Sequence, residues 1–139
     1  MAIQEITRLF DFPYYQLETY HTKKAFNTKI KGEWIATSSQ EYINKANAIS
    51  RALLRLGVKP NDKIAIISST NCTEWNIMDI GIQQIGAQNI PIYPTISERE
   101  YEYIFNHAEV KLCFLSDNNL FRKVNAIRKN VSSLQYIYS

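Results

Sequence analysis

The run Ile64-Ala65-Ile66-Ile67 limits what this chain can fold into more than any other feature. It follows a Pro60-Asn61-Asp62 turn and precedes a cluster of hydroxyl residues. A strand with one wet face alternates apolar and polar side chains. An unbroken, β-branched run of strand length belongs instead to a strand covered on both faces, as in a parallel sheet between helices. The flanking segments agree. Upstream, Ser38-Ser39-Gln40-Glu41 has the form of a capping box, and Tyr42, Ala46, Ile49, Leu53 and Leu56 make one apolar helical stripe that Gly57 stops. Downstream, Thr70 to Ile85 is predicted helical, with Trp75, Met78, Ile82 and Ile85 on one face and Gly86 at its end.

The alternation continues. Ala87 to Tyr93 is a predicted strand, though Pro91 cannot donate a ladder hydrogen bond. Ser97-Glu98-Arg99-Glu100 is a second capping box, opening a helix with Tyr101, Ile104, Phe105 and Ala108 inward. Val110 to Leu115 is the next strand, Asn118 to Val131 a helix and Leu134 to Tyr138 the last strand. Strands alternating with helices specify an α/β fold: a parallel sheet with right-handed crossovers, helices on both faces, and ligands beyond the carboxyl ends of the strands.

Before this unit (residues 38–139) come an aromatic-rich arm (1–24), expected to hold a short helix, and a β-hairpin (25–37) turning at Lys31-Gly32. Glycine there supplies the positive φ of a tight turn. The chain ends at Ser139, within a residue of its last strand, so the sheet is expected to be an incomplete portion of a larger domain, with an uncovered edge open to self-association.

Composition narrows function. No apolar run reaches the ~18 residues of a membrane-spanning helix, and Glu5, Arg8 and Asp11 interrupt the first apolar stretch, unlike a secretory signal. A soluble, cytoplasmic unit is expected. A net charge of +3 is too small to imply nucleic-acid binding. Arg122, Lys123, Arg128 and Lys129 lie on the polar side of the last helix, either as a solvated face or as a contact for phosphate or an acidic partner. Cys72 and Cys113 are far apart, with no CxxC and no neighbouring histidine, which argues against a disulfide or zinc site.

Chemical motifs are sparse. Glycines at positions 32, 57, 81 and 86 cannot make GxGxxG, and GxxxxGK[ST] is absent. Ser68-Ser69-Thr70-Asn71-Cys72-Thr73, directly after the buried strand, could cap the Trp75 helix or hold an anion; it partly resembles the flavodoxin phosphate loop, with Asn71 where that loop has glycine. His107 is expected to cap a helix C-terminus, and Glu98, Glu100 and Glu102 to favour a helix dipole rather than form a catalytic carboxylate pair. No catalytic, cofactor-binding or metal-ligating residue is assigned.

Taken in order, the landmarks form a recognisable string. They are Trp34; Ser39-Gln40-Glu41-Tyr42; Leu56-Gly57-Val58; Pro60-Asn61-Asp62-Lys63-Ile64-Ala65; Asn71 with Glu74-Trp75; Ile90-Pro91-Ile92-Tyr93-Pro94-Thr95; and Asn106-His107-Ala108-Glu109. The string resembles the N-terminal region of AMP-forming acyl-CoA synthetases, most closely the long-chain fatty-acid-CoA ligase branch. That resemblance implies a parent that joins a fatty acid to coenzyme A through an acyl-adenylate, using ATP and Mg²⁺, with peripheral membrane contact. The family's lysine-ended phosphate loop, adenine motif, ribose-binding aspartate and catalytic lysine are not in this sequence, so the resemblance implies a scaffold wall, inactive alone and binding no cofactor. Two other readings compete: a flavodoxin-like, flavin-binding electron carrier using Ser68 to Thr73, and a non-catalytic interaction module.

Overall fold

The structure is a computed structural model that describes residues 5–139; the first four residues of the expected arm lie outside the described residues. The backbone gathers into two compact units. One holds the chain up to Gly57 together with Cys72–Ile85, the other Val58–Asn71 together with Gly86–Ser139.

In the first unit a 3-10 turn at Leu9–Asp11 runs into α1 (Phe12–Tyr20), the short helix expected of the arm, which ends at His21 in the left-handed conformation. β1 (Phe26–Ile30) and β2 (Glu33–Thr37) form the hairpin, antiparallel with Ile30 opposite Glu33. Lys31 and Gly32 both have positive φ, 50° and 92°, the backbone signature of a two-residue turn whose twist matches its strands. α2 (Ser39–Arg55) opens with the predicted capping box: the Ser38 hydroxyl accepts from Glu41 N–H, and Ser38 N–H donates to the Glu41 carboxylate at 2.8 Å. Leu56 falls just past the helix and is exposed. α3 (Thr73–Gln83) packs with α2 through Tyr42, Ala46, Ile77 and Ile80, with Phe10, Phe26 and Ile49 at the margin.

Helices α2 and α3 approach closely because Gly81 has no side chain. A Cβ there would lie 2.7 Å from Ile49 Cγ2 and 3.0 Å from the Ala46 carbonyl oxygen. The space admits the Ser50 hydroxyl, which bonds the Gly81 carbonyl at 2.8 Å. Burial of the Tyr42 ring, with Asp79 nearby, pushes its hydroxyl up to about 12, so it stays a neutral donor to the Asn76 carbonyl.

The second unit is built on the parallel sheet. β3 (Lys63–Ile67), β4 (Gln88–Pro91), β5 (Val110–Leu115) and β6 (Tyr136–Tyr138) lie in the order β4-β3-β5-β6, all parallel. All four apolar residues of the diagnostic run, Ile64 to Ile67, are buried. Pro91 is tolerated because β4 is an edge strand among those described. α4 (Glu98–Ala108), with its own capping box at Ser97 and Glu100, and α5 (Asn118–Ile127) contribute Tyr101, Phe105, Leu120 and Val124 to a core shared with Val110 and Cys113. The α/β class, the four parallel strands and the preceding hairpin are those the sequence pattern predicts. Several bounds differ: α3 runs Thr73–Gln83 rather than Thr70 to Ile85, β4 Gln88–Pro91 rather than Ala87 to Tyr93, α5 becomes a 3-10 turn at Arg128, and β6 begins at Tyr136.

Candidate functional site

The strand order locates the place where a ligand would be expected. The chain leaves β3 for β4 on one side and later returns to β5 on the other, so the sheet reverses its winding between β3 and β5. In open parallel sheets that switch point leaves a crevice at the carboxyl ends of the two strands. Here those ends are Ser68-Ser69-Thr70 after β3 and Ser116-Asp117 after β5.

Ser69, Ser116 and Asp117 are paired with one another at this crest. Ser69 N–H donates to Ser116 Oγ at 2.9 Å, and Ser69 Oγ donates to Asp117 Oδ2 at 2.5 Å. Ser116 Oγ donates to the same carboxylate oxygen at 2.9 Å, and Ser116 N–H bonds the Ile67 carbonyl. The other oxygen, Asp117 Oδ1, accepts from Asn119 and Leu120 N–H and so caps α5. The hydrogen bond from Ser69, followed by those from Leu120 N–H and Ser116, holds the Asp117 carboxyl down to about 2. Asp117 is therefore an anion at every physiological pH, at the end of β5 beside the loop that follows β3.

The expected role of Ser68 to Thr73 is corrected. The N-cap of α3 is Cys72, whose side chain makes no cap hydrogen bond, and Ser68 Oγ instead bonds the Thr70 carbonyl at 2.6 Å. Ser69 serves α5 through Asp117 rather than α3. Sequence reading missed this because the partner is 48 positions away. Within the first unit, Thr73 shares a 2.6 Å hydrogen bond with Thr28 of the hairpin.

The remaining singled-out residues do not converge. His107 is exposed in the last turn of α4, stacked on Tyr103 at 5.8 Å; the cap is Glu109, with φ 55°. Glu100 serves the capping box, whose bonds from Ser97 hold its carboxyl below the usual range, while Glu102 accepts from Asn130 Nδ2. Glu98 stands exposed in the first turn of α4. Cys113 is wholly buried, and burial pushes its thiol up, away from the reactive thiolate. Of the basic group, Lys123 reaches the Pro94 carbonyl and Arg128 the Gln135 carbonyl, while Arg122 and Lys129 are exposed.

One feature of the first unit has no precedent in the sequence reading. A cleft of about 390 Å³ opens beside α1, where the Tyr14 hydroxyl donates to Asn47 Oδ1 and accepts from Gln84 Nε2. Ser50 Oγ closes the network on Gln84 Oε1. Among the described residues no group of three or more His, Cys, Asp or Glu side chains could hold a metal ion, and no helix is long and apolar enough to cross a membrane.

Comparison with known proteins supplies what the geometry does not. The AMP-binding enzyme family matches residues 15–139. A long-chain-fatty-acid–CoA ligase, FadD15, of Mycobacterium bovis is 29% identical over 108 residues, covering 78% of this chain and 18% of the relative. Fatty acyl-CoA synthetase B of Dictyostelium discoideum is 29% identical over 141 residues, covering 96% of this chain and 20% of the relative. Among solved structures, an anthranilate CoA ligase, AuaEII, in complex with anthranoyl-AMP superposes with a TM-score of 0.82 at 23% identity, over 94% of this chain and 24% of that one, which is a likeness of fold. The chain spans about a fifth of the length of these curated relatives.

Proposed function

This chain belongs to the AMP-binding enzyme family, and from that membership we propose that it is the N-terminal portion of a cytoplasmic long-chain fatty-acid–CoA ligase. In that reaction a fatty carboxylate oxygen attacks the α-phosphorus of ATP, the bond to pyrophosphate breaks, and the coenzyme A sulfur then displaces AMP from the acyl carbon. The observation carrying the reading is the family match over residues 15–139, joined to relatives whose names state fatty-acid–CoA ligation. Substrates of the parent would be a fatty acid, ATP with Mg²⁺, and coenzyme A.

The role of this stretch is structural. The Asp117 carboxylate disfavours a phosphate at the crest by charge. Residues that would stabilise a transferring phosphoryl group must come from elsewhere in the parent. The test is an assay with ATP, coenzyme A and oleate. The 139-residue chain is expected to form no oleoyl-CoA, whereas a ligase carrying this stretch as its leading part should form it with stoichiometric AMP. Turnover by the isolated chain would overturn the scaffold role. A longer protein accepting only aryl carboxylates would overturn the fatty-acid assignment and leave the ligase class standing.

One observation favours the flavin-carrier reading: the order β4-β3-β5-β6 is the first four strands of a flavodoxin-like sheet. Against it, Ser69 N–H and Oγ, which would have to meet the flavin phosphate, are engaged by Ser116 and Asp117. Absorbance between 370 and 460 nm, typical of oxidised flavins, would revive it; a colourless protein that leaves flavin fluorescence unquenched is expected.

A further inference from the structure

The cleft beside α1 is built entirely within the first unit, from the 3-10 turn, α1, α2 and the residues just past α3. Its volume of about 390 Å³ lies at the small end of ligand sites, roughly 300–1,000 Å³, and suits a single ring with a short polar group. The polar part of its lining is a hydrogen-bond relay that runs one way. Ser50 Oγ, which also reaches the Gly81 carbonyl, donates to Gln84 Oε1 at 2.7 Å. Gln84 Nε2 donates to the Tyr14 hydroxyl at 2.7 Å, and that hydroxyl donates to Asn47 Oδ1 at 2.9 Å. A relay of this direction ends in surplus donors. Asn47 Nδ2 keeps two N–H groups and Gln84 Nε2 one, none with a partner among the described residues, while Asn47 Oδ1 keeps a second lone pair.

Charge decides which ring compound matches those groups. Arg8 and Asp11 also line the cleft, and the guanidinium donates to both carboxylate oxygens, at 3.2 and 2.9 Å. Those bonds from Arg8 hold the Asp11 carboxyl below its ordinary value, so cation and anion are already matched. A carboxylate ligand would meet the Asp11 anion. An amidinium would meet Arg8 and bring no acceptor to the Asn47 N–H groups. A carboxamide does neither: its oxygen accepts from Asn47 Nδ2, and its own N–H returns a bond to Asn47 Oδ1. The remaining lining suits an aromatic body. Arg8 lies over the Phe10 ring at 4.5 Å, giving one flat wall, and Tyr15, Ile6 and Ile85 add apolar surface.

We propose that this cleft binds an uncharged aromatic carboxamide, held by Asn47 and Gln84 through the Tyr14 relay and enclosed by Phe10 and Ile85. A ligand seated there contacts α1, α2 and the end of α3 together, so binding ties the arm to the helix pair. The site shares no residue with the β3–β5 crest and does not rest on the ligase assignment.

The test is an NMR titration of the full 139-residue chain, following the Asn and Gln side-chain NH₂ signals. The probes are benzamide, benzoate and benzamidine, which share a ring and differ in charge. Benzamide is expected to shift the Asn47 and Gln84 signals saturably at about 1 mM, ordinary for so small a ligand. Benzoate and benzamidine should bind about tenfold more weakly or not at all. Asn47→Asp keeps the oxygen that Tyr14 needs and loses both N–H groups, so it should lower benzamide affinity about tenfold. Tyr14→Phe removes the relay but not the ring and should lower it about threefold; far-ultraviolet circular dichroism confirms that each variant is folded. Shifts that do not saturate, benzoate binding as tightly as benzamide, or folded variants that bind as well as the unaltered chain would each overturn the proposal.

Discussion

Asp117 shows how one side chain can decide what a crest does. Its two oxygens take four hydrogen bonds from three elements, and its carboxyl is held at about 2 against an ordinary 3.8. A lowered folded-state value means the ionised form is favoured by folding. Its contribution is therefore complete above about 3.8 and is lost as pH falls through about 2. Ser69→Ala removes the largest cause, so the Asp117 midpoint in a carbon-detected NMR titration should rise toward 3.8; an unchanged midpoint would show that Ser69 does not hold the carboxylate. Asp62 follows the same sign with a different partner. Burial raises its carboxyl value, but the Lys111 ammonium at 2.6 Å and Lys59 N–H outweigh that and hold it below 3.8. Both side chains remain partly exposed, so Lys111→Met should cost about 1 kcal/mol in denaturant unfolding at neutral pH, and less in high salt.

Helix and strand identity was legible in this chain wherever two local signals coincided. Both capping boxes, the buried run of β3 and the Lys31-Gly32 turn stand where the sequence puts them, because each is set by contacts within a few residues. The start of α3 was not legible: the hydroxyls of Ser68 to Thr73 resemble a cap, but Ser69 is drawn to Asp117 across the sheet, and no local pattern encodes that bond. The Tyr14–Gln84 network was hidden for the same reason, its partners standing 70 positions apart. No local pattern marks Gly81, yet it sets the close approach of α2 and α3. Gly81→Ala gains up to about 1 kcal/mol in helix propensity but drives a Cβ to 2.7 Å from Ile49. Overpacking of that kind costs about 1–3 kcal/mol, so the variant should melt lower than the parent; a higher melting temperature would mean that α2 and α3 can separate freely. In the hairpin, Lys31 holds a left-handed φ that asparagine adopts with less strain, so Lys31→Asn should raise stability by about 0.5 kcal/mol.

At the scale of the molecule, the parallel sheet that in many proteins frames a nucleotide site here carries an anion at its switch point. There the Asp117 anion accepts from the hydroxyls of Ser69 and Ser116, and Ser69 N–H is taken by Ser116 Oγ. A protein that bound MgATP at a hundred times less than its bulk concentration would gain about 2.7 kcal/mol of folding stability. For a chain of 139 residues that corresponds to a rise of roughly 8–13 °C in melting temperature. The expectation for this chain is no rise with millimolar MgATP, and none with AMP. A shift of several degrees that is lost on removing Mg²⁺ would show that the crest opens to a nucleotide and would overturn the proposed scaffold role.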